Sequence, residues 1–125
     1  MSALEKKLHL KPGMTMFVAD APAGYQASLK ALPATQAKAL KGELDVLQIF
    51  VTRKAQLEKK LPALKKAMHE KSMLWVCYPK ANGLGTDLNR DILRVWLDAK
   101  GLTSVAQIAI DDVWSAIRFK LSEAK

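Results

Sequence analysis

A glycine-containing loop offers the clearest binding chemistry in this sequence. It reads Lys80-Ala-Asn-Gly-Leu-Gly-Thr86 and joins an apolar run to a helical segment. Loops of this kind can bind anions, because backbone N–H groups at a helix start are free to donate. A phosphate-binding P-loop would instead place its lysine directly after the glycines. A flexible connection with Thr86 as the helix cap is therefore the simpler interpretation.

A second candidate is the adjacent pair Asp111 and Asp112 between the last two apolar runs. Paired carboxylates can perform acid–base chemistry or hold a divalent cation. Neighbouring side chains in a tight turn usually point apart, and aspartate is favoured in turns for its own backbone hydrogen bonds. The turn interpretation is favoured, so neither a metal site nor a catalytic residue is assigned. Trp114 could stack on a ligand ring, but packing against the sheet is slightly favoured.

The elements that carry these loops follow from hydrophobic periodicity. Short apolar runs predict strands, and the segment at 35–40 is a weak strand for which an alanine-rich helix fits almost as well. The predicted strands cover residues 14–19, 35–40, 44–51, 73–78, 103–110 and 113–121. Helices are predicted at 24–32, after Thr52 with a kink or restart at Pro62, and at 87–100. The last helix is expected to bury the face with Leu88, Ile92, Val95, Trp96 and Ala99.

The connections between these elements define the fold class. Strands joined through helices pair in parallel with right-handed crossovers, whereas a link of only Asp111-Asp112 demands an antiparallel hairpin. The sequence therefore predicts a three-layer α/β Rossmann-like sandwich, with a mostly parallel sheet and a C-terminal antiparallel hairpin strand. A chain of 125 residues is expected to form a single domain over residues 1–125.

Polar residues at the carboxyl ends of the strands form the candidate binding site, because ligands of open parallel sheets bind there. Ordinary loop chemistry is the alternative, since strands must end in polar loops. The candidate binding residues are Arg53, Lys80, Asn82, Gly83, Gly85, Thr86, Asp87, Asp111, Asp112 and Trp114. Two cations, free backbone donors and an aromatic ring would suit a small anionic ligand with a flat group.

The net charge of +8 raises the question of nucleic acid. Its lysines cluster in one helical segment, opposite leucines at helical spacing, which indicates a solvated face. Base-contacting aromatics and arginines are not interleaved with them, so nucleic acid is an unlikely partner. The lysines concerned are Lys54, Lys59, Lys60, Lys65, Lys66 and Lys71, and the apolar positions opposite them are Leu57, Leu61, Leu64 and Met68.

Cysteine content and hydropathy bear on the compartment. The single cysteine, Cys77, lies in an apolar run, which suits an inert buried thiol and gives no sign of an oxidising environment. No run approaches the ~20 apolar residues of a membrane span. A cytoplasmic protein with no membrane partner is expected. His9 and His69 lack a zinc-binding pattern.

Three segments resemble a known family. Leu74-Trp-Val-Cys-Tyr-Pro-Lys80, Thr86-Asp-Leu88 and Ile110-Asp-Asp-Val-Trp-Ser-Ala-Ile-Arg-Phe119 are similar to a small bacterial family, a domain of unknown function. That resemblance implies a Rossmann-like fold and no activity. The order of elements also resembles the C-terminal part of class I methyltransferases that use S-adenosylmethionine, although this likeness is one of topology.

The methyltransferase resemblance implies a cofactor site that the sequence does not reproduce. Such an enzyme would carry a glycine-rich turn after its first strand and an acidic residue at the end of the next. This chain has Asp20-Ala-Pro-Ala-Gly24, where Pro22 removes a donor, and Leu40-Lys41-Gly42. No cofactor is therefore assigned, and S-adenosylmethionine is expected to bind weakly or not at all.

The leading functional expectation is a non-catalytic module that binds a small ligand or a protein through the carboxyl edge of its sheet. The alternative is a small transferase-like enzyme acting on an anionic substrate. Nucleic-acid binding through the lysine-rich helix is the weaker alternative. Whether any catalysis occurs stays open at this level.

Overall fold

The structure is a computed structural model that describes residues 10, 13–21, 35–36, 44–80, 88–110 and 113–122. These residues form a sheet of six strands in the order β2-β1-β3-β4-β6-β5. In chain order the elements are β1 (Thr15–Ala19), β2 (Thr35–Gln36), β3 (Leu44–Phe50), α1 (Lys54–Lys66), β4 (Met68–Pro79), α2 (Arg90–Ala99), β5 (Leu102–Ala109) and β6 (Trp114–Leu121).

The pairing of the strands confirms the predicted topology. β1 pairs in parallel with β2 and β3, and β3 pairs in parallel with β4. β6 is antiparallel to both β4 and β5, so it runs backwards along an otherwise parallel sheet. The α/β Rossmann-like fold with a C-terminal antiparallel hairpin is therefore confirmed.

β4 begins earlier than the sequence predicts. Met68 and Lys71, expected on a helix, belong to this strand. Met68 pairs with Leu44, the next pair is Val46 with Met73, and the register shifts between them. The extra residues of this bulge interrupt the alternation of apolar and polar side chains in the strand. The sequence pattern therefore does not show that the strand begins at Met68.

α1 runs without a break through Pro62, contrary to the predicted kink or restart. Pro62 is exposed, and the buried side chains of the helix are Leu57, Leu61 and Leu64. The helix begins where the side chain of Gln56 accepts hydrogen bonds from the backbone N–H groups of Thr52 and Arg53, at 2.8 and 3.0 Å. These bonds satisfy donors in front of the first turn and fix its start at the end of β3.

α2 packs through a different face from the predicted one. Leu93 and Leu97 are fully buried, which stabilises the fold by about 1.5–3 kcal/mol for each side chain. Val95 is 74% exposed and Ile92 is 40% exposed. The helix is capped by Asn89, whose side-chain oxygen accepts from the Ile92 N–H at 2.9 Å, rather than by Thr86 or Asp87.

Two apolar clusters cover the two faces of the sheet. The first contains the buried leucines of both α1 and α2, packed on strand residues such as Ile49, Val76 and Ile117. The second contains the alternate strand residues, among them Phe50, Trp75 and Trp114. Alternation of this kind is what a sheet buried on both faces requires. Among the described residues, no helix is long and apolar enough to cross a membrane.

Candidate functional site at the carboxyl edge

The carboxyl ends of the parallel strands meet at one edge of the sheet, here called the carboxyl edge. It comprises the residues that follow β1, β3, β4 and β5, together with the start of β6. Phe50 of β3 is paired with Cys77 of β4, and Pro79 of β4 is opposite Trp114 of β6. The polar residues just beyond these pairs are therefore neighbours along the edge.

Two cations extend from this edge on adjacent strands. Arg53 and Lys80 each lie three residues beyond the paired Phe50 and Cys77. Arg53 is exposed and caps α1 through its backbone, and Lys80 is half-buried, with its N–H donating to the Val113 carbonyl at 2.8 Å. Neither side chain forms an ion pair with another described residue. Both predicted cations therefore follow neighbouring strands at the carboxyl edge.

Asp20, directly after β1, has an unusual backbone conformation. Its φ is +58°, the only positive φ outside glycine among the described residues. A left-handed conformation costs free energy for most residues, is tolerated best by aspartate and asparagine, and often marks a functional turn. Its carboxylate is half-exposed and lies 2.8 Å from the ammonium of Lys60 in α1. The carboxyl edge therefore presents an anion beside its cations.

Tyr78 places a protonated hydroxyl close to the same edge. The ring is buried, and the amide of Gln107 donates to the hydroxyl at 3.1 Å. Burial raises the pKa of Tyr78, against a smaller lowering by the charge of Arg90. The hydroxyl is therefore a donor at neutral pH. Sequence reasoning missed it, because a tyrosine within an apolar run is read as core.

Trp114 contributes to packing at this edge. Its side chain is only 9% exposed, and its ring lies edge-on to Phe50 with the centroids 5.1 Å apart. That geometry is a favourable aromatic pair. The burial agrees with the packing interpretation that the sequence slightly favoured.

Several lysines of α1 hold the helix to its surroundings. The ammonium of Lys54 lies 4.9 Å from the ring centre of Trp96, and Lys65 donates to the carbonyl of Lys100. Lys60 pairs with Asp20. Three lysines of α1 are thus engaged with other residues of the chain.

The remaining candidates lie outside the described residues. They are Asn82, Gly83, Gly85, Thr86, Asp87, Asp111 and Asp112, and the same holds for the predicted helix at 24–32 and for Pro22 and Lys41. Within the described part of the chain, no group of histidine, cysteine and acidic residues could hold a metal ion.

The fold is shared with solved methyltransferase structures. A mitomycin 7-O-methyltransferase matches with a TM-score of 0.66 at 13% identity, over 95% of this chain and 53% of its own. A ribosomal protein methylase from Lactobacillus delbrueckii subsp. bulgaricus matches with a TM-score of 0.62 at 10% identity, over 96% of this chain and 75% of its own. A SAM-dependent methyltransferase from Aquifex aeolicus matches with a TM-score of 0.61 at 15% identity, over 95% of this chain and 89% of its own.

This chain therefore spans about half of the mitomycin enzyme and most of the other two. No protein-family model matches the sequence, and no curated protein matches it either. The resemblance to the small bacterial family consequently stays a prediction.

These neighbours contradict the expectation of a non-catalytic binding module. The three solved structures named above share the fold along nearly the whole chain, and each is described as a methyltransferase or methylase. The alternative expectation, a transferase-like enzyme, fits the fold better. The expectation of weak S-adenosylmethionine binding rests on Pro22 and Lys41, which lie outside the described residues, so it stays a prediction.

Proposed function

We propose that this chain is a transferase-like enzyme that takes a methyl group from S-adenosylmethionine and acts on an anionic substrate at the carboxyl edge. The observation that carries the proposal is the shared fold, which covers 95% of the chain in a neighbour described as SAM-dependent. In open α/β sheets, ligands bind outside the carboxyl ends of the strands. The proposed site is therefore the edge that holds Asp20, Arg53 and Lys80.

The residues at this edge suit the charges of the cofactor. S-adenosylmethionine carries hydroxyls and an ammonium that need an acceptor, and a carboxylate that needs a cation. Asp20 offers the acceptor, held in its left-handed turn at the end of β1. Its pair with Lys60 is half-exposed, and such pairs contribute only about 0–1 kcal/mol, so a ligand can displace it. Arg53, exposed at the start of α1, offers the cation for the carboxylate.

When bound, the cofactor would supply an electrophilic methyl group. The chain's own contribution would be to bind and orient the two reactants. Lys80, on the strand next to Arg53, would attract the negative charge of the substrate.

The setting that we propose for this activity is the cytoplasm of a bacterium. Cys77 is the single cysteine of the sequence and is buried, which is compatible with a reducing compartment. The bacterial origin follows only from the resemblance in sequence. The proposed partner is a small anionic molecule rather than a nucleic acid.

Calorimetry with purified protein tests the proposal. We expect saturable binding of both S-adenosylmethionine and its demethylated product, and a loss of affinity of about tenfold or more in Asp20→Asn. Asparagine tolerates the left-handed backbone, so this variant removes the charge and keeps the turn. Glu70→Gln is the matched control, because Glu70 is an exposed acid near the amino end of β4.

Two outcomes would contradict the proposal. Absence of binding at millimolar cofactor would exclude a methyl-transfer role for this edge. Equal affinity in the wild-type protein, Asp20→Asn and Glu70→Gln would leave the cofactor without the acceptor assigned here.

A further inference from the structure

The outward face of α2 is apolar, although the helix already buries its opposite side. Ile92, Val95 and Ala99 form a stripe at helical spacing, and Val95 is 74% exposed. Leu93 and Leu97, on the opposite side, are fully buried. A surface helix normally carries polar residues opposite its buried face, whereas one that is apolar on both sides is covered on both. Neither apolar cluster of the described residues includes the stripe of Ile92, Val95 and Ala99.

Charged residues run along one flank of this stripe. Asp91, Arg94 and Asp98 border a groove between α2 and the start of β5. The Nε of Arg94 donates to the Ser104 hydroxyl at 3.2 Å, which holds the guanidinium beside the groove. Among the described residues, neither Arg94 nor Asp98 belongs to an ion pair. Both charges are available to an external partner.

The strand of the sheet next to α2 is an edge strand. β5 is the last strand in the described sheet, and Val105 lies at an irregularity in its pairing with β6 and is 42% exposed. Edge strands are places where another chain can approach. Among the described strands, none pairs with β5 on its outer side.

We propose that α2 is the contact of a two-fold homodimer, in which the helices of two copies pack antiparallel. A two-fold axis at Val95 sets Ile92 against the partner's Ala99, and Arg94 within reach of the partner's Asp98. A second copy fits because the stripe and the charged row are each complementary to themselves under this operation, as an isologous interface requires.

Charge reversal distinguishes this pairing from any other. Arg94→Asp should not form homodimers, because an aspartate at position 94 would face the partner's Asp98 and the two negative charges would repel. Asp98→Arg should not form them either, because an arginine at position 98 would face the partner's Arg94. An equimolar mixture of the two variants should form heterodimers, since each acid then meets a base. Analytical ultracentrifugation or native mass spectrometry resolves the species. A mixture that stays monomeric while the wild-type protein dimerises overturns the arrangement.

A substitution on the axis tests the apolar stripe. Val95→Glu should raise the dimer dissociation constant by about tenfold or more, because it places two carboxylates together at the centre of the contact. Lys59→Glu is the control, since Lys59 is exposed on α1, and should leave the constant unchanged. A wild-type protein that is monomeric at all concentrations, or a dimer indifferent to Val95→Glu, overturns the proposal. Circular dichroism verifies that both variants are folded.

Discussion

The two edges of the sheet are built in contrasting ways. At the amino edge, where the strands begin, polar side chains bond to one another and to the backbone across neighbouring strands. At the carboxyl edge, Arg53 and Lys80 form no ion pair with other described residues, and Asp20 holds a left-handed turn. Saturated bonding serves stability, whereas uncommitted charge and local strain are features of binding sites. The amino edge therefore stabilises the fold, whereas the carboxyl edge is the part proposed to bind ligands.

Asp45 is the centre of the amino edge. Its Oδ2 accepts from the Thr15 N–H of β1 at 2.9 Å, and its Oδ1 lies 2.8 Å from the Nε2 of His69 in β4. The Nδ1 of His69 accepts from the Lys71 N–H at 3.0 Å, so in the neutral ring the proton is on Nε2 and points to Asp45. One carboxylate in β3 thus joins the strands on both sides of it.

Ser72 completes this edge from within β4. Its hydroxyl accepts from the His69 N–H at 2.9 Å and donates to the Leu44 carbonyl at 2.5 Å. The residue is 1% exposed, so water cannot replace either bond. It therefore stabilises the register shift that follows the Leu44 and Met68 pair.

The largest effect on stability is expected for Ser72→Ala. The change removes the hydroxyl from the buried Leu44 carbonyl and from the partly buried His69 N–H, which should lower the free energy of unfolding by about 2–3 kcal/mol. Urea denaturation measures it. Ser122→Ala, a half-buried serine whose hydroxyl lies 2.8 Å from that of Thr103, is the control and should cost less than about 1 kcal/mol. Equal losses in the two variants would remove the special role of Ser72.

The sequence was sufficient for the sheet because each strand carries its own signal. The runs around Leu47 and Val76 are buried on both faces, and the short link before Trp114 leaves only a hairpin. The hydrogen bonds at the amino edge could not be predicted, because Asp45 and His69 are separated by 24 residues and no local sequence pattern links them.

The carboxyl edge was predictable only in part. Arg53 and Lys80 follow strands whose parallel pairing is implied by the helices between them, so their position at the same edge of the sheet could be inferred. The left-handed turn at Asp20 could not, since it depends on backbone dihedrals. The buried face of α2 was assigned wrongly, because stripes through Val95 and through Leu93 both satisfy helical spacing. The choice between them depends on where β5 lies.

A smaller effect, dependent on pH, is expected for Asp45→Asn. The Thr15 N–H, followed by the hydrogen bond and charge of His69, holds the pKa of Asp45 below its ordinary 3.8 and outweighs burial. A carboxyl with a lowered folded pKa contributes stability above its unfolded pKa and loses it as pH falls through the folded value. We expect a loss of about 1–2 kcal/mol at neutral pH, discounted because the side chain is 36% exposed.

Comparison of the two proteins in acid checks this assignment. Chemical denaturation at neutral pH and at about pH 3 should show the stability difference shrinking as the wild-type carboxylate becomes protonated. Glu58→Gln, which changes an exposed acid on α1, is the control, and should leave the dependence of stability on pH in acid unchanged. A difference that grows in acid would mean that Asp45 is not the stabilising anion.

The smallest effect on stability, with the largest effect on binding, is expected for Arg53→Ala and Lys80→Ala. Neither side chain forms an ion pair with other described residues, and exposed charges contribute about 0–1 kcal/mol, so the free energy of unfolding should change little. Binding of the cofactor to Arg53→Ala and of an anionic substrate to Lys80→Ala should be lost.

Lys66→Ala and Lys71→Ala are matched controls, because they remove exposed cations from the end of α1 and the start of β4. If all four variants bind alike, the carboxyl edge has no binding role beyond its charge. If Arg53→Ala or Lys80→Ala unfolds as readily as Ser72→Ala, the two edges do not differ in the way argued here, and the cations at the carboxyl edge serve the fold.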